Sequence, residues 1–217
     1  MSKFLAPIHS WLFNKINIHE DLEREIEQSF KSKYGDDVTN IVQKNIDKYG
    51  ERIPNKDLEE IIDESNIHGW LQSKISVAET RQAAILGDLF AEYGNDAIEL
   101  ACDVYKENAI KNAKQAKESI TVDAPEDIHK VINNFILDGM PCDGADSIVK
   151  SDADILESVQ KNCLHINYWN TAGVDVDTMY KLRAEWKKAF VSELNSNFEY
   201  SLSGDKDSSF VHTIKRI

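Results

Sequence analysis

The chain has 217 residues, a formal net charge of −13, and 41% hydrophobic against 29% charged residues. That length allows one large domain or two small ones with a substantial core, and nine Gly with four Pro leave no room for a long disordered or collagen-like tract. The acidity argues against nucleic acid and anionic membrane as partners, since both need a basic face that displaces counterions.

At the N-terminus the apolar run is short and interrupted by His9 and Trp11, unlike a signal peptide. No later run approaches the roughly 20 residues that span a bilayer. The three cysteines (Cys102, Cys142, Cys163) form no C-x-x-C pair, which points to a reducing, cytoplasmic setting.

The first half of the chain reads as two copies of one helical unit. A gap-free offset carries Ile8-His9-x-Trp11-Leu12-x-x-Lys15-Ile16 onto Ile67-His68-x-Trp70-Leu71-x-x-Lys74-Ile75. The same offset matches Glu20 with Glu79, Ile26 with Ile85, Tyr34-Gly35 with Tyr93-Gly94 and Asp37 with Asp96. Self-similarity at a fixed spacing marks repeated supersecondary units. Asn17-x-x-Glu20 and Ser76-x-x-Glu79 have the form of capping boxes and predict a helix start in each copy. Tyr34-Gly35 and Tyr93-Gly94 predict the ends, with Gly free to take the left-handed conformation. Asp36 and Asn95 are then placed to cap a following helix.

The copies are not equivalent. The first long helix alternates Leu22, Ile26 and Phe30 with charged residues, as a surface helix does. The second (Val77, Ala83 to Leu86, Leu89, Phe90) is apolar nearly all round and is expected at the centre, the two copies packing about a pseudo-two-fold axis. The lysine-rich stretch from Lys106 to Lys117 reads as a solvated helix face.

Character changes near Thr121. Asp123-Ala-Pro125-Glu126 starts a helix carrying Ile128, Val131, Ile132, Phe135 and Ile136 up to Gly139. Ile148-Val149 and the stretch from Ile155 to His165 read as strands. Asp175 or Asp177 caps another helix through Met179, Leu182, Trp186, Phe190 and Leu194. Phe198 to Leu202 and Phe210 to Ile214 alternate around Ser203-Gly204-Asp205, a hairpin signal. The fold class expected is therefore α+β, predominantly helical: a duplicated helical part over 1–118 (copies at about 4–50 and 63–110), then a small antiparallel sheet domain over 121–217.

A strand ending in Cys163, a loop with Gly173, a helix, and a last hairpin reading Gly204-Asp205-x-x-Ser208-Ser209-Phe210 follow in that order. This resembles the C-terminal part of L-2-amino-thiazoline-4-carboxylic acid hydrolase-like proteins and, more distantly, the 4-vinyl reductase domain. The resemblance implies a small-molecule cavity and C–N hydrolase ancestry. Where that family has a hairpin cysteine this chain has Ser208-Ser209, so only Cys163 matches a family cysteine position.

Three groups of residues carry candidate chemistry. Cys163-Leu-His165 would share one face of a strand, where a thiol beside an imidazole is an activated nucleophile or half a zinc site. The bland alternative is a buried thiol acting as a small hydrophobe. Tyr168 and Trp169 would wall a ligand pocket, with His212 joining from the last strand. His9 and His68, with Trp11 and Trp70, occupy matching positions; they hold a transition metal or a haem if they converge, or repeat one packing role. Asp143, Asp146, Asp152 and Asp154 lack EF-hand spacing and read as a solvated loop. The sequence thus predicts a cytoplasmic small-molecule-binding protein, a C–N hydrolase if Cys163 and His165 act together. The alternatives are a metal- or cofactor-binding helical scaffold and a ligand-free interaction module. The partners expected are a small molecule and a second copy of the chain.

Overall fold

The computed structural model describes residues 5–144, 146–160, 163–205 and 209–217. Two long helices dominate, α1 (Pro7–Tyr34) and α4 (Ile67–Tyr93). Between them lie α2 (Asp37–Tyr49) and the single-turn α3 (Leu58–Ile61). Helix α5 (Asn95–Lys117) follows α4. Then come α6 (Pro125–Ile132), strands β1 (Ser147–Ser151) and β2 (Ile155–Gln160), helices α7 (Ile166–Ala172) and α8 (Val176–Leu194), and the hairpin β3 (Phe198–Ser203) and β4 (Phe210–Arg216). The fold is helical α+β, with one four-stranded antiparallel sheet in the order β1-β2-β4-β3. Among the described residues no helix is long and apolar enough to cross a membrane.

Helices α1 and α4 run side by side in the same direction. His9 meets His68 edge-on at 5.4 Å between ring centroids near their starts, and Tyr34 stacks on Tyr93 at 3.9 Å at their ends. Each helix is also packed by the other's successor, α5 against α1 and α2 against α4. Lys15 lies over the Trp11 ring and Lys74 over the Trp70 ring, the same i,i+4 contact twice. Residues Ala78 to Leu86 of α4 are all buried, so α4 is the central helix.

The helix starts expected at Asn17 and Ser76 do not exist. Both residues lie inside unbroken helices, and Ser76 Oγ donates back to the Gln72 carbonyl at 2.9 Å instead of capping. The buried stripe Leu12, Ile16, Glu20, Glu23, Ile26, Phe30 continues through Asn17, and tertiary burial overrides a local cap signal. Asp36 does precede α2, without a side-chain cap bond, whereas Asn95 is already helical. Gly35 (φ 87°) and Gly94 (φ 65°) end α1 and α4 as expected. Helix α6 stops at Ile132, earlier than expected. Asn133 and Asn134 turn the chain there, so Phe135 and Ile136 pack from a turn. The strand expected through His165 ends at Gln160, and His165 is the N-cap residue of α7. Asp175 caps α8 by accepting from Thr178 N–H at 2.8 Å. Ser208 lies outside the described residues.

A continuous apolar core joins α1, α2, α4 and α5 to α6, α8 and the inner face of the sheet, from Leu22 to Ile214. A smaller cluster packs the first halves of α1 and α4 (Leu12, Phe13, Ile16, Leu71, Ile75) against Ile53, Leu58, Leu137 and Met140. This second cluster fixes the loop after α6 against α1, which sets the position of Asp138 between Leu137 and Met140.

The core also buries charge. Arg81, fully buried, donates to Glu20 at 2.7 Å, to Glu23 at 3.0 Å and to the Gly50 carbonyl at 2.9 Å. Arg52 adds a bond to Glu23 at 2.6 Å, and Ile53 N–H one to Glu20 at 2.8 Å. Each carboxylate is thereby satisfied, as a buried ion needs. The network ties α4 to α1 and to the chain leaving α2.

Candidate functional site

Alternation along the strands builds the floor of a cavity. Side chains of β2 at Leu156, Ser158 and Gln160 face inward, as do His212 and Ile214 of β4 and Tyr200 of β3. Helix α6 contributes His129, Ile132 and Asn133, α1 contributes Trp11 and Lys15, and α8 contributes Lys187. The loop after α6 closes one side with Asp138, Met140 and Asp146. The enclosed volume is about 360 Å³, within the range of small-molecule sites. The cavity lies where the helical part meets the sheet.

Its polar groups are of two kinds. The first kind is satisfied. Tyr200 O–H donates to His212 Nδ1 at 2.6 Å, which leaves His212 Nε2–H facing Gln160 Oε1 at 3.3 Å; the tautomer follows from these two bonds. Burial, with Lys187 nearby, pushes the His212 imidazole down to about 2, so it is neutral. Ser158 and His212 are register partners on adjacent strands. With both its ring nitrogens engaged, His212 is not free to act as a base for the Ser158 hydroxyl. Asn133 amide N–H donates to His129 Nε2 at 3.2 Å, and burial lowers the His129 pKa.

Asp138 belongs to a second satisfied set that reaches away from the cavity. His165, 1% exposed, sits between Glu79 (Nδ1 to Oε1, 3.0 Å) and Asp138 (Nε2 to Oδ1, 3.1 Å). Arg183 donates to the same Asp138 carboxylate and, at 3.2 Å, to the Leu137 carbonyl. Burial opposes the charge on His165, but Glu79 and Asp138 outweigh it and raise its pKa above the ordinary value. Burial likewise opposes ionisation of Asp138, yet Arg183 and Lys187 hold its carboxyl well below the usual range. Glu79, His165, Asp138 and Arg183 therefore form a charge-balanced chain across α4, the start of α7, the loop and α8.

The second kind is unsatisfied. Lys15 is only 4% exposed and lines the cavity, yet its ammonium has no hydrogen-bond or ion-pair partner among the described residues. It lies over the Trp11 ring face, 4.2 Å from the centroid. Desolvation pulls its pKa down to about 8, with Asp138 partly opposing and Arg183 and Lys187 adding to the fall. Lys187 faces the same space, also without an acceptor, and burial lowers its pKa too. Ser158 Oγ is fully buried and has no hydrogen-bond partner among the described residues. Of these three groups facing one cavity, the Ser158 hydroxyl is enclosed by protein on all sides, whereas Lys187 is half-buried.

The residues expected from sequence are distributed differently. His212 and Trp11 line the cavity. Cys163 and His165 share no strand face: Cys163 is half-buried in the turn before α7, and both His165 nitrogens face carboxylates. A protonated, doubly bonded imidazole is a structural cation, not a free base. Trp169 is 1% exposed in the core, stacked on His165 at 4.9 Å. Tyr168 accepts from Gln72 at 3.1 Å, outside the cavity. Trp70 packs on Phe13 at 6.2 Å. His9 and His68 do meet, but His9 Nδ1 accepts from Ala6 N–H at 3.2 Å, and among the described residues no group of three or more His, Cys, Asp or Glu is arranged to hold a metal ion.

Lys15, Ser158, Gln160, Lys187 and Tyr200 were missed. The signal existed for some of them: Lys15 interrupts the apolar stripe of α1, and Ser158 and Gln160 sit at alternate positions with Leu156 on the buried side of a strand. Chain comparisons add no relative from which a role could be carried over: no family model matches the chain, and neither a curated protein nor a solved structure matches it.

Proposed function

We propose that this chain is a cytoplasmic small-molecule-binding protein whose ligand occupies the cavity between the sheet and helices α1, α6 and α8. One observation supports the reading: Lys15, Lys187 and Ser158 line that cavity, and none of the three has a hydrogen-bond or ion-pair partner among the described residues. A ligand bearing acceptors would give each of them a partner, which a buried hydroxyl such as that of Ser158 needs. The free thiols Cys102, Cys142 and Cys163 fit a reducing compartment. On this reading the two helical copies are a duplicated scaffold that fixes α1, and with it Trp11 and Lys15, at the cavity mouth. The Glu79-His165-Asp138-Arg183 chain is the support behind Asp138.

Ser158 has no free base beside it, since both ring nitrogens of His212 are engaged, and this favours binding over acyl transfer at that hydroxyl. The test is a thermal-shift screen of acids, amines and neutral compounds of metabolite size, run beside Ser158→Trp, which fills the floor. Compounds that raise the melting temperature of the wild type, and not that of a folded Ser158→Trp protein, support the reading. Binders that act equally on both proteins, or no binder in any class, overturn it.

A further inference from the structure

We propose that the ligand is a small organic monocarboxylic acid, its carboxylate taken by Lys15 and Lys187. The inference rests on the cavity reading and adds the ligand's chemistry. Charge is the first argument. Asp138 is neutralised from behind by Arg183 and His165, and His165 in turn balances Glu79, so that chain carries no net charge into the cavity. The groups left facing the space are Lys15 from α1, Lys187 from α8, Asp146 from the loop, and neutral His129, Tyr200 and His212 from α6 and the sheet. Asp146, 28% exposed, lies 3.8 Å from His129 and bonds neither lysine. Two cations against one carboxylate leave a surplus of one positive charge, matching a monoanion.

The remainder of the lining sets the rest of the molecule. Trp11, Ile132, Met140, Leu156 and Ile214 form an apolar wall, which suits an acid with a hydrocarbon or aromatic body and disfavours one with charges at both ends. Ser158 Oγ, buried among them, is free to donate to one further acceptor on that body. An amine ligand would place a third cation beside Lys15 and Lys187 and would leave both without acceptors.

This assignment has a readout that a structural role for Lys15 would not produce. The free amine holds its proton weakly, and a bound carboxylate restores it, so binding must take up protons in mildly alkaline solution. The experiment is isothermal calorimetry on the whole chain, with aliphatic and aromatic monocarboxylic acids of four to ten carbons, in buffers of different ionisation enthalpy. Each acid is paired with its primary amide and its amine. The expected result at about pH 8.5 is an acid bound at least about 10-fold more tightly than its amide, with uptake of roughly 0.7 proton per ligand. Lys15→Met reduces the uptake to whatever Lys187 contributes and weakens the acid by about 10-fold or more, and circular dichroism confirms that the variant is folded. Equal affinity for acid and amide, or acid binding without uptake, overturns the proposal. If only amines or neutral compounds bind, and Ser158→Trp blocks them, the acid assignment fails while the cavity reading stands; if nothing binds, both fail.

Discussion

Replacing Lys15 by methionine should stabilise the protein, because burial of its ammonium costs the fold stability. Its pKa falls from 10.5 to about 8 on burial. At about 1.36 kcal/mol per unit, holding the ammonium in that position costs about 3 kcal/mol at neutral pH. The Trp11 ring at 4.2 Å returns about 1 kcal/mol of this as a partly desolvated cation–π contact. Methionine keeps the stem packed and removes the charge, so the net gain is about 2 kcal/mol, a rise in melting temperature of roughly 4–8 °C for a chain of this size. The sign with pH follows from linkage. The folded pKa lies below the unfolded one, so the unfolded chain holds more protons between about pH 8 and 10.5 and wild-type stability rises through that window. The advantage of Lys15→Met is therefore full below about pH 8 and fades toward zero near pH 10.5. Urea titrations of both proteins at about pH 7 and pH 10 measure it. A variant less stable than wild type at pH 7, or a gain that does not change with pH, refutes the reasoning.

Three further outcomes are expected. Arg81→Met leaves Glu20 and Glu23 buried beside an apolar side chain and should destabilise by about 3–5 kcal/mol, read as a lower urea midpoint. His165 has its folded pKa above the unfolded 6.5, so its contribution is fully present below about pH 6.5 and is lost as pH rises through the folded value; His165→Gln should show a flatter alkaline stability profile than wild type, and parallel profiles would contradict that. Gly139 has φ 64°, and an added Cβ would meet Asp143 Oδ2 at 2.7 Å and Leu164 Cδ1 at 2.8 Å. Gly139→Ala should cost about 1–3 kcal/mol and, by shifting the adjacent Asp138, weaken whatever the cavity binds; an unchanged melting temperature would show that the loop absorbs the change.

Several element types were legible in the sequence because each rests on a local rule, whereas α7 lies where a loop was expected. Alternation gave β3 and β4, spacing of three and four gave α8, and Tyr-Gly marked the ends of α1 and α4. Boundaries failed where tertiary burial outweighed local chemistry. Asn17 and Ser76 look like caps, but the buried stripe of α1 and the largely buried α4 run straight through them. Cys163 and His165 look like strand neighbours, but the chain leaves the sheet after Gln160. The ion pairs that define the site join residues far apart in the chain, as Glu79 and Asp138 do through His165, and no periodicity announces such a meeting. Lys15 follows Trp11 as Lys74 follows Trp70, so spacing does not distinguish the two, and only tertiary packing places Lys15 at the cavity.

That buried lysine is also the most direct test of the account. Protein labelled with ¹³C at lysine Cε allows each amine to be titrated individually by NMR, with Lys15→Met supplying the assignment. The account predicts one signal with a midpoint near pH 8, absent in the variant, that moves to higher pH when a bound carboxylic acid fills the cavity. A Lys15 midpoint near the ordinary 10.5, unmoved by ligand, would contradict it.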